Sequence, residues 1–323
     1  MNGLYVMNLD RFPDVYGPDE RADIERHLRV AAPPVTAGDL TPGLLADVDV
    51  LVTAWGAPRL DAAFLDAAPK LALVLYGAGS VRSTVTPESW ARGVRVTAAG
   101  HAIATAVAEF ALAQILYALK HGWRYVLTSR ATKAWAARDA EKGAFGSVVG
   151  LLSLGATGRT TADLLARHDV TVQAHDPFAT FPDSVRSVGL EELFATSDVV
   201  SLHAPLLPQT RGLVGHDLLR SMKRDATLIN TARGGLIDET ALVEVLDERP
   251  DLFAVLDVTD PEPPTPGSPL FSLPNVVVTP HLAGSLGPER RRQGRLMAEE
   301  LARYAAGRSL LHEVTEQRLG HSA

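Results

Sequence analysis

Cysteine is absent from the 323 residues of this chain. That absence excludes disulfide bonds, thiolate catalysis, cysteine-bound zinc and iron–sulfur clusters, and it fits a reducing compartment. Aromatic residues make up only 6% of the sequence, so the hydrophobic cores must be mainly aliphatic. The formal net charge is −7, and such a chain has no general attraction for nucleic acid or anionic membranes. Any small anionic ligand would therefore need a local cationic side chain.

The chain also lacks an uninterrupted membrane-length apolar run. The longest apolar stretch, residues 102–119, is broken by Glu109 and Gln114 and is marginal in length for a membrane span, so we expect a buried interface helix. The N-terminus has no basic start and reaches Asp10 early, which is not typical of a signal peptide. No group of His, Asp and Glu has metal-ligand spacing. We expect a cytoplasmic protein without metal, nucleic-acid or membrane partners.

Short aliphatic runs alternate with helical patterns along the chain, which indicates parallel α/β layers. In the first third, strands are predicted at 4–9, 48–54, 71–77 and 94–99. A second series is predicted at 148–154, 170–175, 199–203, 227–231, 252–258 and 276–279. The second series alone describes a complete doubly wound nucleotide-binding sheet. The sequence therefore predicts two Rossmann-like or flavodoxin-like doubly wound parallel-sheet domains.

The central position of the second series predicts that the first domain is discontinuous. The roughly 40 residues after His281 are too few for an independent domain. They are expected to return as a helix near 288–306 and pack on the N-terminal part. We predict a substrate-binding domain from 1–98 plus 284–323 and a nucleotide-binding Rossmann domain from 99–283, with the ligand site in an interdomain cleft.

A glycine-containing turn, VGLLSLGATGR at 149–159, follows a predicted strand and begins a predicted helix. It matches the dinucleotide-binding fingerprint, except that Ser153 stands in place of the first glycine. Gly155 would let the backbone approach a pyrophosphate, and Gly158 would let helix and strand pack closely. The N–H groups at the start of the helix would bind the phosphates.

A carboxylate, Asp176, follows the next predicted strand. At this place a carboxylate accepts hydrogen bonds from the ribose hydroxyls and repels a 2′-phosphate, so NAD is preferred to NADP. The alternative for Asp-Pro-Phe is a turn or helix cap. Together, the turn and the carboxylate predict a dinucleotide site.

Two further candidates, Arg233 and His281, also follow predicted strands. The planar guanidinium of Arg233 suits bidentate binding of a carboxylate, and the alternative is a surface arginine. Hydride transfer to a ketone leaves an alkoxide that needs a proton, and His281 could supply it. A lone histidine is more often structural. Glu262, in the proline-rich loop 260–269 that precedes His281, could orient the imidazole.

Four segments then carry more specific motifs: DVVSLHAP at 198–205, NTARGGLIDE at 230–239, LDV at 256–258 and NVVVTPH at 275–281. These segments resemble the D-isomer-specific 2-hydroxyacid dehydrogenase family, and the similarity extends from about residue 71 to 296. The resemblance implies an NAD-dependent oxidoreductase that transfers a hydride reversibly between NAD(H) and a small D-2-hydroxy or 2-oxo acid. It also implies a homodimer built around the long apolar helix.

The resemblance assigns roles to particular residues. It implies that Arg233 binds the substrate carboxylate, that His281 is the acid/base and that Glu262 orients it. Asp257 would bond the nicotinamide carboxamide. The backbone of Gly77, Ala78 and Gly79 would share the substrate carboxylate with Arg233. The full set of implied cofactor-binding residues is Gly155, Ala156, Thr157, Gly158, Asp176, His203, Pro205, Thr231, Ala232, Arg233, Asp257, His281 and Gly284.

The sequence also departs from the family pattern. Ser153 replaces a glycine, Ser-Val-Arg at 80–82 stands where many members have Gly-Val-Asp, and Ile103 stands where many have asparagine. Two alternatives stay open: an NAD-sensing, corepressor-like binding protein of the same fold, and an NADP-preferring glyoxylate or hydroxypyruvate reductase. An arginine run at 290–295 predicts a solvated helix face. The four tryptophans are interpreted as packing residues, with Trp55, at a strand end, as the one candidate for the ligand site.

Overall fold

The structure is a computed structural model that describes residues 1–30, 32–137 and 143–319. It divides into two compact units, Met1–Ile103 with Ser285–Ala323, and Ala104–Gly284. The predicted domain boundaries, 98/99 and 283/284, lie five residues and one residue before the junctions at 103/104 and 284/285. Each unit is built on a largely parallel sheet, so the predicted fold class of two doubly wound α/β sheets is confirmed.

The described residues form strands that are mostly short. In chain order they are β1 (Asn2–Val6), β2 (Arg29–Val30), β3 (Val50–Thr53), β4 (Leu73–Tyr76), β5 (Arg95–Ala98), β6 (Ser147–Leu152), β7 (Val170–His175), β8 (Arg186–Ser187), β9 (Val199–Leu202), β10 (Thr227–Asn230), β11 (Phe253–Leu256), β12 (Val276–Val278) and β13 (Glu313–Val314).

Helices connect these strands. They are α1 (Phe12–Val15), α2 (Pro18–Glu25), α3 (Pro42–Leu45), α4 (Ala62–Ala67), α5 (Pro87–Ala91), α6 (Gly100–Ala118), α7 (Gly122–Thr132), α8 (Ala156–Leu165), α9 (Leu190–Thr196), α10 (His216–Ser221), α11 (Glu239–Glu248), α12 (Arg291–Ala305) and α13 (Glu316–Leu319). Short 3-10 turns occur at Ala37–Asp39, Gly234–Leu236, Pro269–Phe271 and Gly287–Arg290.

The sheet of the first unit has the strand order β13-β5-β4-β3-β1-β2. Its strands are parallel except for β13, which pairs antiparallel with β5. The four predicted strands are present. The two-residue strands β2 and β13 were not predicted, because so short a segment shows no alternating pattern. The predicted return helix is α12, which contributes Met297 and Leu301 to the core of this unit.

The sheet of the second unit has the order β12-β11-β10-β9-β6-β7-β8, and all of its neighbours pair in parallel. Its central strands β9, β10 and β11 are buried along their whole length, as expected for a parallel sheet covered on both faces. Successive strand residues belong to different core clusters: Leu228 packs in one and Ile229 in the other. The sheet therefore has one hydrophobic core on each face.

The long helix α6 crosses the junction between the two units. An 18-residue window of α6 has a mean hydropathy of 1.3, and 39% of that window is buried. By length and composition such a helix could cross a membrane, although a core helix of a soluble protein has the same properties. Ala108, Ala111 and Ile115 are fully buried, while Tyr117 is exposed. Helix α7, which follows it, was not predicted.

The arginine run at the start of α12 packs on α1 and α2 within the first unit. Arg290 Nη1 donates to Asp14 Oδ2 at 2.5 Å, and Arg291 Nη1 donates to Glu20 Oε2 at 2.6 Å. Glu20 is only 2% exposed, and a buried carboxylate requires a cationic partner. The expectation of a solvated face was therefore wrong for Arg290 and Arg291, which anchor the returning helix.

Candidate active site

The candidate residues of the second unit share one position in the fold: each lies just beyond the carboxyl end of a parallel strand. Ligands of doubly wound sheets bind at this edge because the connecting loops and helix N-termini face it. From one side of the sheet to the other, the residues are His281 after β12, Asp257 after β11, Thr231–Arg233 after β10, His203 after β9, Ser153–Gly155 after β6 and Asp176 after β7.

The predicted phosphate turn has the close backbone approach that its glycines imply. A Cβ at Gly158 would lie 2.1 Å from the carbonyl oxygen of Ser153, so only glycine fits there. Helix α8 begins at Ala156, with Gly155 as its N-cap and no side-chain cap. The N–H groups of the first turn are therefore suited to bind an anion.

Asp176 lies directly against this turn. Its Oδ2 accepts hydrogen bonds from Ser153 Oγ at 3.0 Å and Leu154 N at 2.8 Å, and its Oδ1 accepts one from Phe178 N at 2.9 Å. Partial burial opposes ionisation, but hydrogen bonds from Leu154, Phe178, Ser153 and Ala179 outweigh it and lower the pKa of Asp176. The side chain therefore caps the Asp-Pro-Phe turn with one oxygen and faces the phosphate turn with the other.

Two buried side chains provide a test of whether a dinucleotide fits this edge. Nδ1 and Nε2 of His203 and Oγ1 of Thr231 are buried and have no hydrogen-bond partner among the described residues. Burial lowers the pKa of His203 to about 4, so the ring is neutral near pH 7. Buried polar atoms are nearly always hydrogen-bonded in proteins. Because Cβ of His203 lies 3.6 Å from a Cβ built at Gly158, these groups suit a polar ligand that crosses the phosphate turn, as NAD would.

The Arg233 loop is shaped by the side chain of Asn230. Its Nδ2 donates to the carbonyl oxygen of Arg233 at 2.9 Å, and its Oδ1 accepts from Ala232 N at 3.0 Å. The guanidinium of Arg233 is exposed, and its Nη1 donates to the carbonyl oxygen of Ala232 at 2.6 Å. Within the described part of the chain it forms no ion pair, so most of its donors remain available to an anionic ligand.

The Arg233 loop packs directly on the loop that contains Glu262. A Cβ at Gly234 would lie 2.0 Å from the carbonyl group of Thr259, so the two backbones touch. Arg211 Nη1 also donates to Asp260 Oδ2 at 2.7 Å. The loops of Arg233 and Glu262 are therefore in direct contact, although the two residues are far apart in the sequence.

His281 and Glu262 lie in direct contact. Nδ1 of His281 is 2.5 Å from Oε1 of Glu262, and the side chains are 47% and 40% exposed. The backbone of His281 is in the left-handed region, with φ of 50°. A non-glycine residue in that region is uncommon and is often found where function constrains the chain. The contact leaves Nε2 as the ring nitrogen that can exchange a proton with a substrate.

Asp257 holds the His281 loop in place. Its carboxylate is 1% exposed and accepts hydrogen bonds from Thr279 Oγ1 at 2.5 Å, Leu282 N at 2.9 Å and Ala283 N at 2.8 Å. Its backbone carbonyl accepts from His281 N at 3.0 Å. Its implied bond to the nicotinamide carboxamide stays a prediction.

In the first unit, the Gly77–Gly79 loop follows β4. Gln293 Nε2 donates to the carbonyl oxygen of Gly77 at 2.8 Å, and Ala99 N donates to that of Ala78 at 2.9 Å. The carbonyl groups of Gly77 and Ala78 are therefore bonded within the unit. Trp55, after β3, lies 5.9 Å from the guanidinium carbon of Arg290, measured to its ring centroid.

The residues at 80–82 and 103, where the sequence departs from the family pattern, make contacts within the first unit. Val81 is 1% exposed, and Arg82 Nη2 donates to the carbonyl oxygen of Leu319. Ile103 Cδ1 lies 3.5 Å from a Cβ built at Gly79. Arg82 is thus bonded to the C-terminal helix α13.

Three supporting residues were missed from the sequence: Asn230, Thr279 and Gln293. Asn230 ends an otherwise apolar strand and is fully buried, and that contrast was an available signal. Gln293 stands among arginines on α12, where its pattern indicates only a polar helix face. Of the remaining implied cofactor residues, Pro205 accepts from Thr210 Oγ1 at 2.6 Å, and a Cβ at Gly284 would meet no atom within 4 Å.

The second unit has the architecture of a doubly wound nucleotide-binding domain, and the Glu262–His281 pair can exchange a proton with a ligand at its carboxyl edge. Residues 112–283 match the family model described as "D-isomer specific 2-hydroxyacid dehydrogenase, NAD binding domain". The chain belongs to this family, and its cofactor is NAD, as the description of the matched NAD-binding domain states. The family predicted from the sequence motifs is confirmed.

Named relatives support the same conclusion. The chain is 34% identical to a glyoxylate reductase of Thermofilum pendens over 77% of this chain and 76% of the relative. It is 32% identical to a hydroxypyruvate reductase of Thermotoga maritima over 80% of this chain and 85% of the relative. A D-isomer specific 2-hydroxyacid dehydrogenase from Xanthobacter autotrophicus, solved with NADPH and MES, matches with a TM-score of 0.79 and 27% identity, covering 98% of this chain and 99% of that chain.

These relatives are named as enzymes. The prediction of an oxidoreductase that transfers a hydride between NAD(H) and a small D-2-hydroxy or 2-oxo acid is therefore confirmed. The alternative, a corepressor-like binding protein, is not better supported by these comparisons.

Proposed function

We propose that this enzyme reduces a small 2-oxo acid with Arg233 as the carboxylate-binding residue and His281 as the acid/base. The observation that carries the proposal is the 2.5 Å contact between His281 Nδ1 and Glu262 Oε1. A carboxylate at Nδ1 fixes the ring orientation and stabilises the protonated imidazole. Glu262 acts through His281 and is a positioning residue.

The chemistry assigns one task to each side chain. The guanidinium of Arg233 binds the substrate carboxylate with paired hydrogen bonds and leaves the carbonyl group beside the imidazole. When bound, NADH supplies the hydride that the carbonyl carbon receives. His281 donates its Nε2 proton to the carbonyl oxygen, which becomes the hydroxyl group. In the oxidative direction the same nitrogen removes that proton.

The cofactor would be held along the carboxyl edge of the second unit. The N–H groups of Gly155 to Gly158 would bind the pyrophosphate, and Asp176 would accept from the adenosine ribose. The buried polar atoms of His203 and Thr231, which have no partner in the described ranges 1–30, 32–137 and 143–319, support a polar ligand at the same edge.

We propose glyoxylate and hydroxypyruvate as the first substrates to examine, because the chain is 34% and 32% identical to reductases named for them. Both are small 2-oxo acids with the carboxylate that Arg233 would bind.

The proposal is tested with a panel of 2-oxo acids and NADH, followed by the loss of absorbance of the reduced ring. Arg233→Ala should lower kcat/KM for the preferred acid by about 10²–10⁴-fold, since a bidentate charged contact is lost. The Kd of NADH should stay almost unchanged. Arg186→Ala, at the opposite side of the same sheet, is the matched control. Near-normal kcat/KM in Arg233→Ala would refute the carboxylate assignment.

The oligomeric state and location are also proposals. We propose a homodimer in which the apolar surface around α6 and α7 is covered by a second copy. Support comes from the exposed aromatic residues Tyr117, Trp135 and Phe145 in this part of the chain, which are 40%, 94% and 88% exposed. A monomer at micromolar concentration in sedimentation equilibrium would contradict it. We propose a cytoplasmic location on the absence of cysteine.

A further inference from the structure

Ser153 occupies a backbone position that normally requires glycine. Its φ is 80°, a conformation in which an L-residue is strained. The turn allows little adjustment, because Ser153 N donates to the carbonyl oxygen of His175 at 2.8 Å. The carbonyl oxygen of Ser153 itself faces Gly158. A side chain at this place is therefore held in one position beside Asp176.

The hydroxyl group of Ser153 donates to Asp176 Oδ2, which also accepts from Leu154 N. With the N–H groups of Phe178 and Ala179, four donors address this carboxylate. A carboxylate offers about four lone-pair sites, so its accepting capacity is nearly filled by the protein alone. Three of the four donors are backbone groups fixed by the fold. Only the serine hydroxyl can rotate away.

We propose that Ser153 is a specificity-determining residue for the cofactor: its hydroxyl competes with the adenosine ribose for Asp176 and so weakens the preference for NAD over NADP. This inference rests on the proposed nucleotide site at Asp176 and deepens it. A ribose hydroxyl that donates to Oδ2 must first displace the serine. NADH binding therefore includes the loss of one existing hydrogen bond.

The same serine does not penalise a 2′-phosphate. A phosphate has no proton to donate to Asp176 near neutral pH and is repelled by the carboxylate, and a hydroxyl donor on that carboxylate reduces the repulsion. Once rotated, the hydroxyl can also donate to a phosphate oxygen. Ser153 Oγ lies 4.0 Å from a Cβ built at Gly155, on the side of the α8 N-terminus. Serine therefore disfavours NADH relative to glycine or alanine and favours NADPH.

The test measures the Kd of NADH and NADPH, by cofactor fluorescence titration, for the wild type and two variants. Ser153→Ala removes only the hydroxyl and keeps the Cβ in its strained position, whereas Ser153→Gly removes both. We expect both variants to bind NADH about 3- to 10-fold more tightly, the effect of one net hydrogen bond. NADPH should bind no more tightly than before. The Kd of NADPH divided by the Kd of NADH should therefore rise by at least about 3- to 10-fold. Ser221→Ala, on α10, controls for the loss of a hydroxyl elsewhere in the unit.

An unchanged ratio in Ser153→Ala would overturn the inference, as would weaker NADH binding, which would mean that the hydroxyl positions Asp176 productively. A second check uses Asp176→Ala as the background, which removes the acceptor altogether. There, Ser153→Ala should no longer tighten NADH binding, since the competition needs an acceptor at position 176. A wild type that binds neither cofactor would instead refute the proposed nucleotide site and, with it, this inference.

Discussion

Glu262 and His281, which lie on loops after two neighbouring strands, meet with 2.5 Å between Oε1 and Nδ1. This contact predicts which of two substitutions lowers kcat more. His281→Gln should lower kcat by about 10²–10⁴-fold, because the proton donor is lost. Glu262→Gln should lower kcat by less, about 10- to 100-fold, since an amide oxygen still accepts from Nδ1–H but no longer stabilises the protonated ring.

Steady-state kinetics with the preferred 2-oxo acid checks both values. The Kd of NADH serves as the readout that a misfolded variant would change. His168→Gln, at an exposed position between the end of α8 and the start of β7, is the control. Equal kcat values for wild type and His281→Gln would remove the imidazole from the reaction.

The support of the His281 loop leads to a prediction about Asp257. In Asp257→Asn the side-chain amide keeps one acceptor oxygen, so a backbone N–H from Leu282 or Ala283 loses its partner in a buried place. An unsatisfied buried donor costs about 1–3 kcal/mol. Thermal unfolding should show this loss, and kcat should fall by about 10-fold or more because the loop carries His281.

Asp183→Asn, an exposed change in the same unit, should leave both values as they are. An Asp257→Asn variant with wild-type stability and kcat would mean that the His281 loop is held by other contacts.

The parallel strands were readable because a strand buried on both faces is a continuous aliphatic run, as in β9 and β10. Helix α7 could not be predicted in this way, because its apolar residues are only half-buried within one chain and its sequence pattern lacks a clear polar face. The antiparallel strand β13 is held by Arg95, whose guanidinium donates to both oxygens of Glu313 at 2.7 and 2.8 Å. A pairing across so much sequence leaves no local signal.

The residues of the candidate site also differ in whether the sequence could predict them. Arg233, Glu262 and His281 could be named from motifs because their chemistry is rare at strand ends. The supporting groups act through hydrogen bonds to the backbone: Asn230 bonds the backbone of the Arg233 loop through both side-chain atoms, and Gln293 donates to the distant carbonyl oxygen of Gly77. No periodicity or spacing encodes such a bond. Ser153 was visible as a departure from the family pattern, but only the fold brings its hydroxyl group into contact with Asp176.

The contact between the Arg233 and Glu262 loops predicts the effect of a single methyl group. In Gly234→Ala the new Cβ would lie 2.0 Å from the carbonyl group of Thr259, so the backbone must shift. We expect a loss of stability of about 1–3 kcal/mol, as for other forced insertions. A fall in kcat/KM of about 10-fold or more should accompany this loss, because Arg233 moves relative to Glu262, which contacts His281.

Gly189→Ala is the matched control, since no atom lies closer than 4.0 Å to a Cβ built at Gly189. If Gly234→Ala were as stable and active as this control, the two loops would not need their close approach.

His203 gives a prediction about pH. Burial lowers its pKa from 6.5 to about 4, so the unfolded chain binds a proton in a range where the folded chain does not. Stability therefore rises with pH between about 4 and 6.5 and is lost as the pH falls through this window. At pH 5 this group alone should remove about 2 kcal/mol of the stability present at pH 7.

In His203→Gln that component is absent, so the difference in unfolding free energy between pH 7 and pH 5 should be smaller by about 2 kcal/mol than in the wild type. Urea unfolding at the two pH values measures it, and comparing the variant with the wild type cancels the other titrating groups. His168→Gln, an exposed change in the same unit, controls for the substitution itself. The same pH dependence in His203→Gln and the wild type would mean that the ring becomes protonated inside the folded unit. The neutral imidazole proposed to meet the cofactor beside Gly158 would then be the wrong species.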